Sequence, residues 1–156
     1  MSNFTDVSLL NSVFGNIKGD METPDWNKAR KQLQLIQEEM QEMVEGIEKH
    51  DLSEVRDAIA DVLVTTYGMA HILGIDADKD MAAVQDSNMS KLCKTETEIE
   101  ATLAYYRNEI GLDVYSGGEL PQGWVKSGKD QTGKDGKTYP AHKFLKNTNW
   151  HEPVLD

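Results

Sequence analysis

From Trp26 onward the apolar positions Ala29, Leu33, Ile36, Met40, Met43 and Ile47 recur at alternating steps of three and four. A strand repeats every second residue and could not gather these side chains on one face, so the spacing predicts one long amphipathic helix. Thr23-Pro24-Asp25 reads as its start. Thr23 would be the N-cap, Pro24 would take the first helical position, where a missing N–H costs nothing, and Asp25 would face the positive end of the helix dipole. Ahead of it, Val7 to Phe14 is short and mostly apolar, with Gly15 and Gly19 as stops, which predicts a short first helix.

The next run starts at Asp51 or Ser53 and carries Val55, Ile59, Val62, Leu63, Thr66, Met69 and Leu73 up to Gly74, a good C-terminal cap. Between Ala58 and Ile75 its one charged residue is Asp61, so the pattern predicts a central helix buried nearly all round. Asp76 opens a fourth helix in which Met81, Val84, Asn88 and Lys91 share a face that turns polar at its end. Thr95 and Glu98 make a capping-box pattern ahead of Ile99, Leu103, Tyr106 and Ile110, with Gly111 closing a fifth helix over 95–111. Beyond Val114 the pattern reads as loops carrying turn signals such as Asp135-Gly136, with a small hairpin between Trp124 and Lys137 around the glycine-rich turn residues.

Composition narrows the classes. A chain of 156 residues and 17.5 kDa favours one compact unit. The 27 acidic and 16 basic residues leave a net charge of −11, which argues against nucleic acid or an anionic membrane as a partner and for a cation. Charge is also uneven: residues 1–120 hold 23 acids and ten bases, whereas 121–156 hold four acids and six lysines. Cys93 is the single cysteine, which excludes a disulfide framework and a cysteine zinc site and suits a reducing cytoplasm. Asn3, Thr5 and Asp6 interrupt any apolar leader, and no apolar run is long enough to span a bilayer.

The acids then acquire meaning from their positions. On the long helix, Glu39 lies roughly 60° and Glu42 roughly 120° from the centre of the apolar stripe at Ile36, while Glu38 is nearly opposite it. Glu39 therefore sits at the edge of the core, and its i, i+3 relation to Glu42 lets both reach one ion. Most glutamate runs on helices are simply solvated, and Glu38 and Glu45 alone would read that way. Asp61 differs, because a carboxylate on an apolar helix is costly unless paired or bound to a metal. A salt bridge to Lys91 or Arg56 would account for one acid, but Asp57 and Glu54 extend the stripe by one and two turns. Antiparallel packing of two helices joined by a short connection brings Glu39 and Glu42 opposite Asp57 and Asp61. Hard cations with oxygen ligands, Mg²⁺ or Mn²⁺, are the natural neutralisers, and magnesium held by carboxylates keeps room for phosphate oxygens. His50, His71, His142 and His151 never stand in the Glu-x-x-His spacing of di-iron bundles, which discounts redox iron. Asn88 and Lys91 offer a hydrogen-bonding group and a positive charge for a sugar or phosphate, though each alone is an ordinary polar helix end.

Glu38-Glu39-x-x-Glu42, Asp57-Ala-Ile-Ala-Asp61, Tyr67-Gly68 and Ser87-Asn88-Met89-Ser90-Lys91-Leu92 together resemble the MazG-like all-α nucleoside triphosphate pyrophosphohydrolases, most closely the branch similar to phosphoribosyl-ATP pyrophosphohydrolase in bacteria and phages. The likeness covers residues 7 to 92 and returns in Lys134-Asp135-Gly136-Lys137 and Asn149-Trp150-His151-Glu152-Pro153. It implies an all-α fold, an antiparallel four-helix bundle with residues 95–111 as an inserted helix and an irregular, basic C-terminal tail. Residues 1–120 would be the pyrophosphohydrolase domain and 121–156 a Lys-rich tail packing on it. The implied reaction is metal-dependent hydrolysis of a (deoxy)nucleoside triphosphate to the monophosphate and pyrophosphate. Glu39, Glu42 and Asp61 would be ligands of two or more Mg²⁺ or Mn²⁺ ions, and Glu38 a ligand or the base that activates water. The family's second motif is Glu-x-x-Asp, yet Ala58 stands three before Asp61, so Asp57 or Glu54 would supply the fourth ligand. Base and sugar would lie in a cleft between subunits of a homodimer or homotetramer, with Asn11, Phe14 and Trp26 as base contacts or core residues.

The resulting expectation is a cytoplasmic enzyme of nucleotide-pool control, with (d)GTP in a phage setting, dUTP and dCTP all left open as substrates. The competing expectation is a non-catalytic acidic bundle that binds a basic partner protein through its glutamates. In that case Asp61 would be salt-bridged and added Mg²⁺ would change nothing.

Overall fold

The computed structural model describes residues 1–156, which divide into two compact units, Met1–Asp80 and Met81–Asp156. In the first, α1 (Asn3–Val13), α2 (Trp26–Glu48) and α3 (Leu52–Leu73) follow one another. Helix α1 is capped by Ser2, whose hydroxyl accepts from the Thr5 N–H. The start of α2 differs from the sequence reading: Asp25, not Thr23, is the N-cap, and its carboxylate accepts from the N–H groups of both Asn27 and Lys28. Thr23 is instead drawn into a turn, its N–H donating to the Asp20 carbonyl. Asp51 caps α3 by accepting from the Glu54 N–H, and Gly74 closes it in the left-handed conformation with φ 71°.

The three residues between α2 and α3 make them an antiparallel hairpin, and two contacts fix its register. The Gln32 side-chain amide donates to the Thr65 carbonyl at 2.8 Å, and a Cβ placed on Gly46 would meet the Val55 side chain at 3.0 Å. Residue numbers facing each other thus sum to about 100, which sets Glu39 across from Asp61 and Glu42 across from Asp57. Helix α1 lies on α3 through the Phe4 and Tyr67 rings, 5.8 Å apart. The chain between α1 and α2 is held by His71, fully buried, whose two ring nitrogens lie 2.7 Å from the Ser8 hydroxyl and 2.7 Å from the Asn16 carbonyl. Gly19 passes so near this point that a Cβ there would fall 1.7 Å from the Ile72 carbonyl oxygen, so any larger residue must push the segment off α3.

The expectation of an all-round buried α3 is overturned. Ile59, Leu63 and Val64 are 46%, 52% and 42% exposed, because α1 and α2 cover only part of its circumference. No single helix is long and apolar enough to cross a membrane.

Helix α4 (Ala77–Ser90) runs across the division between the units, and α5 (Glu96–Tyr105) belongs to the second. Thr95 caps α5 as its spacing predicts, accepting from the Glu98 N–H, while the Glu98 carboxylate reaches back to the Lys94 N–H. A π-helical turn, Tyr106–Ile110, extends α5 to Gly111. Beyond it the molecule departs from an all-α fold with an irregular tail: it is mostly helical, and the tail builds small sheets. Strands β1 (Val114–Gly117), β2 (Trp124–Ser127) and β5 (Phe144–Leu145) form one antiparallel sheet in the order β1-β2-β5. β3 (Gln131–Thr132) and β4 (Thr138–Tyr139) form a separate hairpin around Asp135-Gly136. The hairpin expected between Trp124 and Lys137 is therefore misplaced, since Trp124 pairs back to Gly117 while the hairpin itself joins Gln131–Thr132 to Thr138–Tyr139. The inward positions Val114, Val125 and Leu145 join Leu112 and Tyr139 in a core closed by Leu103, Tyr106 and Ile110. Strands of two to four residues are too short to display a period, and their burial comes from partners distant in sequence.

Candidate active site

Helix α2 presents Glu39 and helix α3 presents Asp61 at partly buried positions, with Glu38, Glu42 and Asp57 more exposed around them. Burial, then the negative charges of Glu42, Asp61, Glu38 and Asp57, push the Glu39 carboxyl above its ordinary value. Glu39 is thus the carboxylate that experiences all four others, as the hairpin register requires. The ion pairs of the chain, Lys28–Asp25, Lys49–Glu54 and His151–Asp86, leave these five acids without a cationic partner.

Glu54 stands apart. Its carboxylate is bound by the Lys49 ammonium at 3.0 and 3.3 Å, which ties the ends of α2 and α3 together. Of the two residues considered for the place of the missing motif glutamate, Asp57 remains free to act with Glu39.

The side chains as they stand do not gather three donors around a point that could hold an ion. Their chemistry nevertheless fits a hard divalent cation: the donors are carboxylate oxygens, they come from two facing helices, and burial together with their mutual repulsion raises the Glu39 pKa with no ammonium or guanidinium to offset it. Bound at such a place, a divalent ion supplies polarisation of phosphate oxygens and acidification of a coordinated water.

Next to these acids on the same helix lies a cavity of about 500 Å³, lined by Asn16, Lys28, Lys31, Gln32, Leu35 and Ile72 among others. Lys28, Lys31, Gln32 and Leu35 continue toward Glu39 at helical steps of one, three and four, so cavity and acids occupy one stripe of α2. Leu35 precedes Glu39 by four residues, a rise of about 6 Å. The volume suits a nucleoside-sized ligand, and the lining mixes apolar walls with amide and ammonium groups. Sequence reasoning passed over Lys28, Lys31 and Gln32, although this spacing was the signal that could have found them.

The other expected site residues fall in different places. The Asn11 amide donates to the Val7 carbonyl at 2.9 Å and its oxygen accepts from Asn16 at 3.0 Å, which shapes the segment leading into the cavity wall. Trp26 is 61% exposed and borders a separate apolar groove with Ala29, Arg30, Leu33, Met69 and Leu73. Phe14 is exposed, which excludes the core role within this chain. Asn88 and Lys91 belong to the second unit, where the Lys91 ammonium donates to the Asn88 side-chain oxygen at 2.8 Å.

The family profile described as phosphoribosyl-ATP pyrophosphohydrolase matches residues 7–88, more than half of the chain and including all five acids. Uncharacterized protein L479 of Acanthamoeba polyphaga mimivirus is 33% identical over 84 residues, which cover 49% of this chain and 33% of that protein. The chain therefore spans about a third of the length of that curated relative.

Proposed function

The chain belongs to the phosphoribosyl-ATP pyrophosphohydrolase family, of MazG-like all-α type, and from that premise we propose that it hydrolyses a (deoxy)nucleoside triphosphate to the monophosphate and pyrophosphate. The observation that carries this reading is the uncompensated acid group on the facing helices, centred on Glu39 and beside a nucleoside-sized cavity. Glu39, Glu42, Asp57 and Asp61 would hold Mg²⁺ or Mn²⁺ ions, two or more per site. Within the chain's own residues the work divides simply. Glu39 and Asp61, partly buried, would hold the cations against which the triphosphate end lies; Glu38, outside the core edge, would take the proton of the attacking water. Lys28, Lys31, Gln32 and the Asn11–Asn16 segment hold the nucleoside end. Asn88 and Lys91 stay proposed as contacts to sugar or phosphate.

The same reading makes the enzyme a homodimer or homotetramer of the cytoplasm acting in nucleotide-pool control, the host cytoplasm where a phage encodes it. A (d)GTP substrate in a phage setting is the narrower form of the proposal, supported only by likeness to phage-type members. Turnover of a panel of NTPs and dNTPs with Mg²⁺ or Mn²⁺, with pyrophosphate and single phosphate measured separately, tests both levels. Pyrophosphate release with one preferred base is the expected result. Single-phosphate release would reject the family chemistry, and no turnover of any nucleotide would return the molecule to an acidic bundle with a basic protein partner.

A further inference from the structure

The two units differ in what they offer a ligand. Residues 1–80 carry 16 acids and seven bases and residues 81–156 eleven acids and nine bases, and within the latter the stretch 114–151 holds three acids and six lysines. The strands of that lysine-rich stretch have one face on the core and one face outward, and the outward face is aromatic and basic. Register places Tyr115, Lys126 and Phe144 side by side across β1, β2 and β5, with Trp124 following Lys126 on the same face of β2.

Each of these groups is held in a way that suits stacking. Trp124 lies against the backbone of Gly117 and Gly118; a Cβ on Gly117 would fall 2.4 Å from its ring, so the glycines let the indole lie flat on the sheet edge. The Lys126 ammonium stands 4.1 Å from the centroid of that indole. Tyr115 meets Trp124 edge to face with centroids 5.6 Å apart, and its hydroxyl is 2.7 Å from His142 Nδ1. Tyr115 and Phe144 are 36% and 37% exposed, so the ends of the row are the open rings and its middle is the cation. The pairing recurs two residues beyond Phe144, where the Lys146 ammonium lies 3.8 Å from the Trp150 ring centroid.

An apolar partner surface would leave the lysines unmatched, and a folded acidic protein would match the lysines but make no use of the partly exposed Tyr115 and Phe144 rings. A single-stranded nucleic acid matches both parts, with bases on the rings and phosphates on the ammonium groups. We propose that the outward face of the β1-β2-β5 sheet binds single-stranded nucleic acid without strict sequence preference, through Tyr115 and Phe144 as stacking rings and Lys126 as a phosphate contact. The overall charge of −11 is no obstacle, since it resides mainly in the first unit. It does set the condition: binding is weak at high salt.

Fluorescence anisotropy with a labelled oligothymidylate at low salt, in the absence of any nucleotide, tests this directly. Saturable binding is expected, with Tyr115→Ala and Phe144→Ala each weakening it by about 5- to 150-fold. Tyr115→Phe, which keeps the ring and loses only the His142 bond, should bind nearly as the parent does. Lys126→Gln should lower the slope of log affinity against log salt by about 1. Pyrophosphate release by these variants should be unchanged, which separates this proposal from that for the first unit. Absent binding at low salt overturns it, as does equal competition by a duplex of the same length or indifference to all the ring substitutions. So does a result in which Tyr115→Ala and Phe144→Ala alter self-association but not oligonucleotide affinity, for the face would then be a contact between copies of the chain.

Discussion

The two units solve the burial of apolar surface in opposite ways. In the first, the buried residues are Phe4 and His71 together with the small Ala29, Ala58, Ala70, Gly46 and Gly68, while large side chains remain open: Leu33, Met40, Val44 and Ile47 on α2, Ile59, Leu63 and Val64 on α3. In the second, Leu112, Val114, Val125, Tyr139 and Leu145 are each less than a tenth exposed and share one cluster. The family match covers nearly all of the open unit and runs into the start of the second, ending at residue 88. The difference is that the helices of the first unit carry apolar stripes wider than the chain itself covers, whereas the β-containing unit completes its own core. Exposed apolar surface of this kind is what the proposed homodimer or homotetramer would cover.

The largest expected effect falls on the acid group. Asp61→Asn keeps size and shape but removes a charge facing Glu39, and pyrophosphate release should fall at least about 100-fold, since even groups that merely support metal ligands cost that much. The same variant should lose any rise in thermal stability on adding Mn²⁺. Turnover equal to that of the parent would mean that the acids of α2 and α3 are a solvated surface after all. Next comes the interface. Leu63→Glu places a charge in the middle of the open α3 face, and sedimentation should show a shift from oligomer to monomer at micromolar concentration, with the helical content retained. A parent protein that is already monomeric would refute the comparison at its root.

The second unit should respond in the other currency. Leu145→Ala removes a side chain that is 3% exposed, and a loss of roughly 2–5 kcal/mol is expected from denaturant titration. Sedimentation of this variant should match that of the parent, because Leu145 faces a core that the chain closes alone. A change of oligomeric state instead would show that the second unit also depends on a neighbouring copy.

How much of this was legible in the sequence depends on the range of the interactions involved. Helices α2 and α3 were readable because their apolar stripes persist over six turns, and their caps at Asp51 and Gly74 are local chemistry. The pairing of Glu39 with Asp61 followed from the same periodicity plus a three-residue connection. The cap of α2 was misread because Thr23 and Asp25 are both good capping residues, and only the competing turn at Asp20 decides between them. The sheet was not legible: Val125 pairs with Leu145 and with Ser116, and nothing within a few residues of Trp124 announces either partner. The breadth of exposure on α3 was also hidden, since an apolar sequence states that a helix wants cover without stating whether its own chain supplies it.

The smallest effect, and the one that ties charge to fold, concerns Glu39. Its carboxyl is raised by burial and by Glu42, Asp61, Glu38 and Asp57, so the folded state holds that proton more tightly than the unfolded chain does. Stability from this group is therefore present below its unfolded value near 4.5 and is lost as pH rises through the higher folded value, after which the penalty is constant up to neutral pH. A divalent cation bound among the same acids opposes that penalty, because it favours the ionised form. Melting temperature measured with and without Mn²⁺ should then separate most at pH 7 to 8 and converge as the acids protonate. Glu39→Gln should flatten the metal-free curve across the carboxylate range, leaving a protein slightly more stable at neutral pH and less responsive to the ion. Were Glu39→Gln instead to destabilise the metal-free protein at neutral pH, the Glu39 charge would be a favourable one, held by partners that the facing acids of α2 and α3 do not provide.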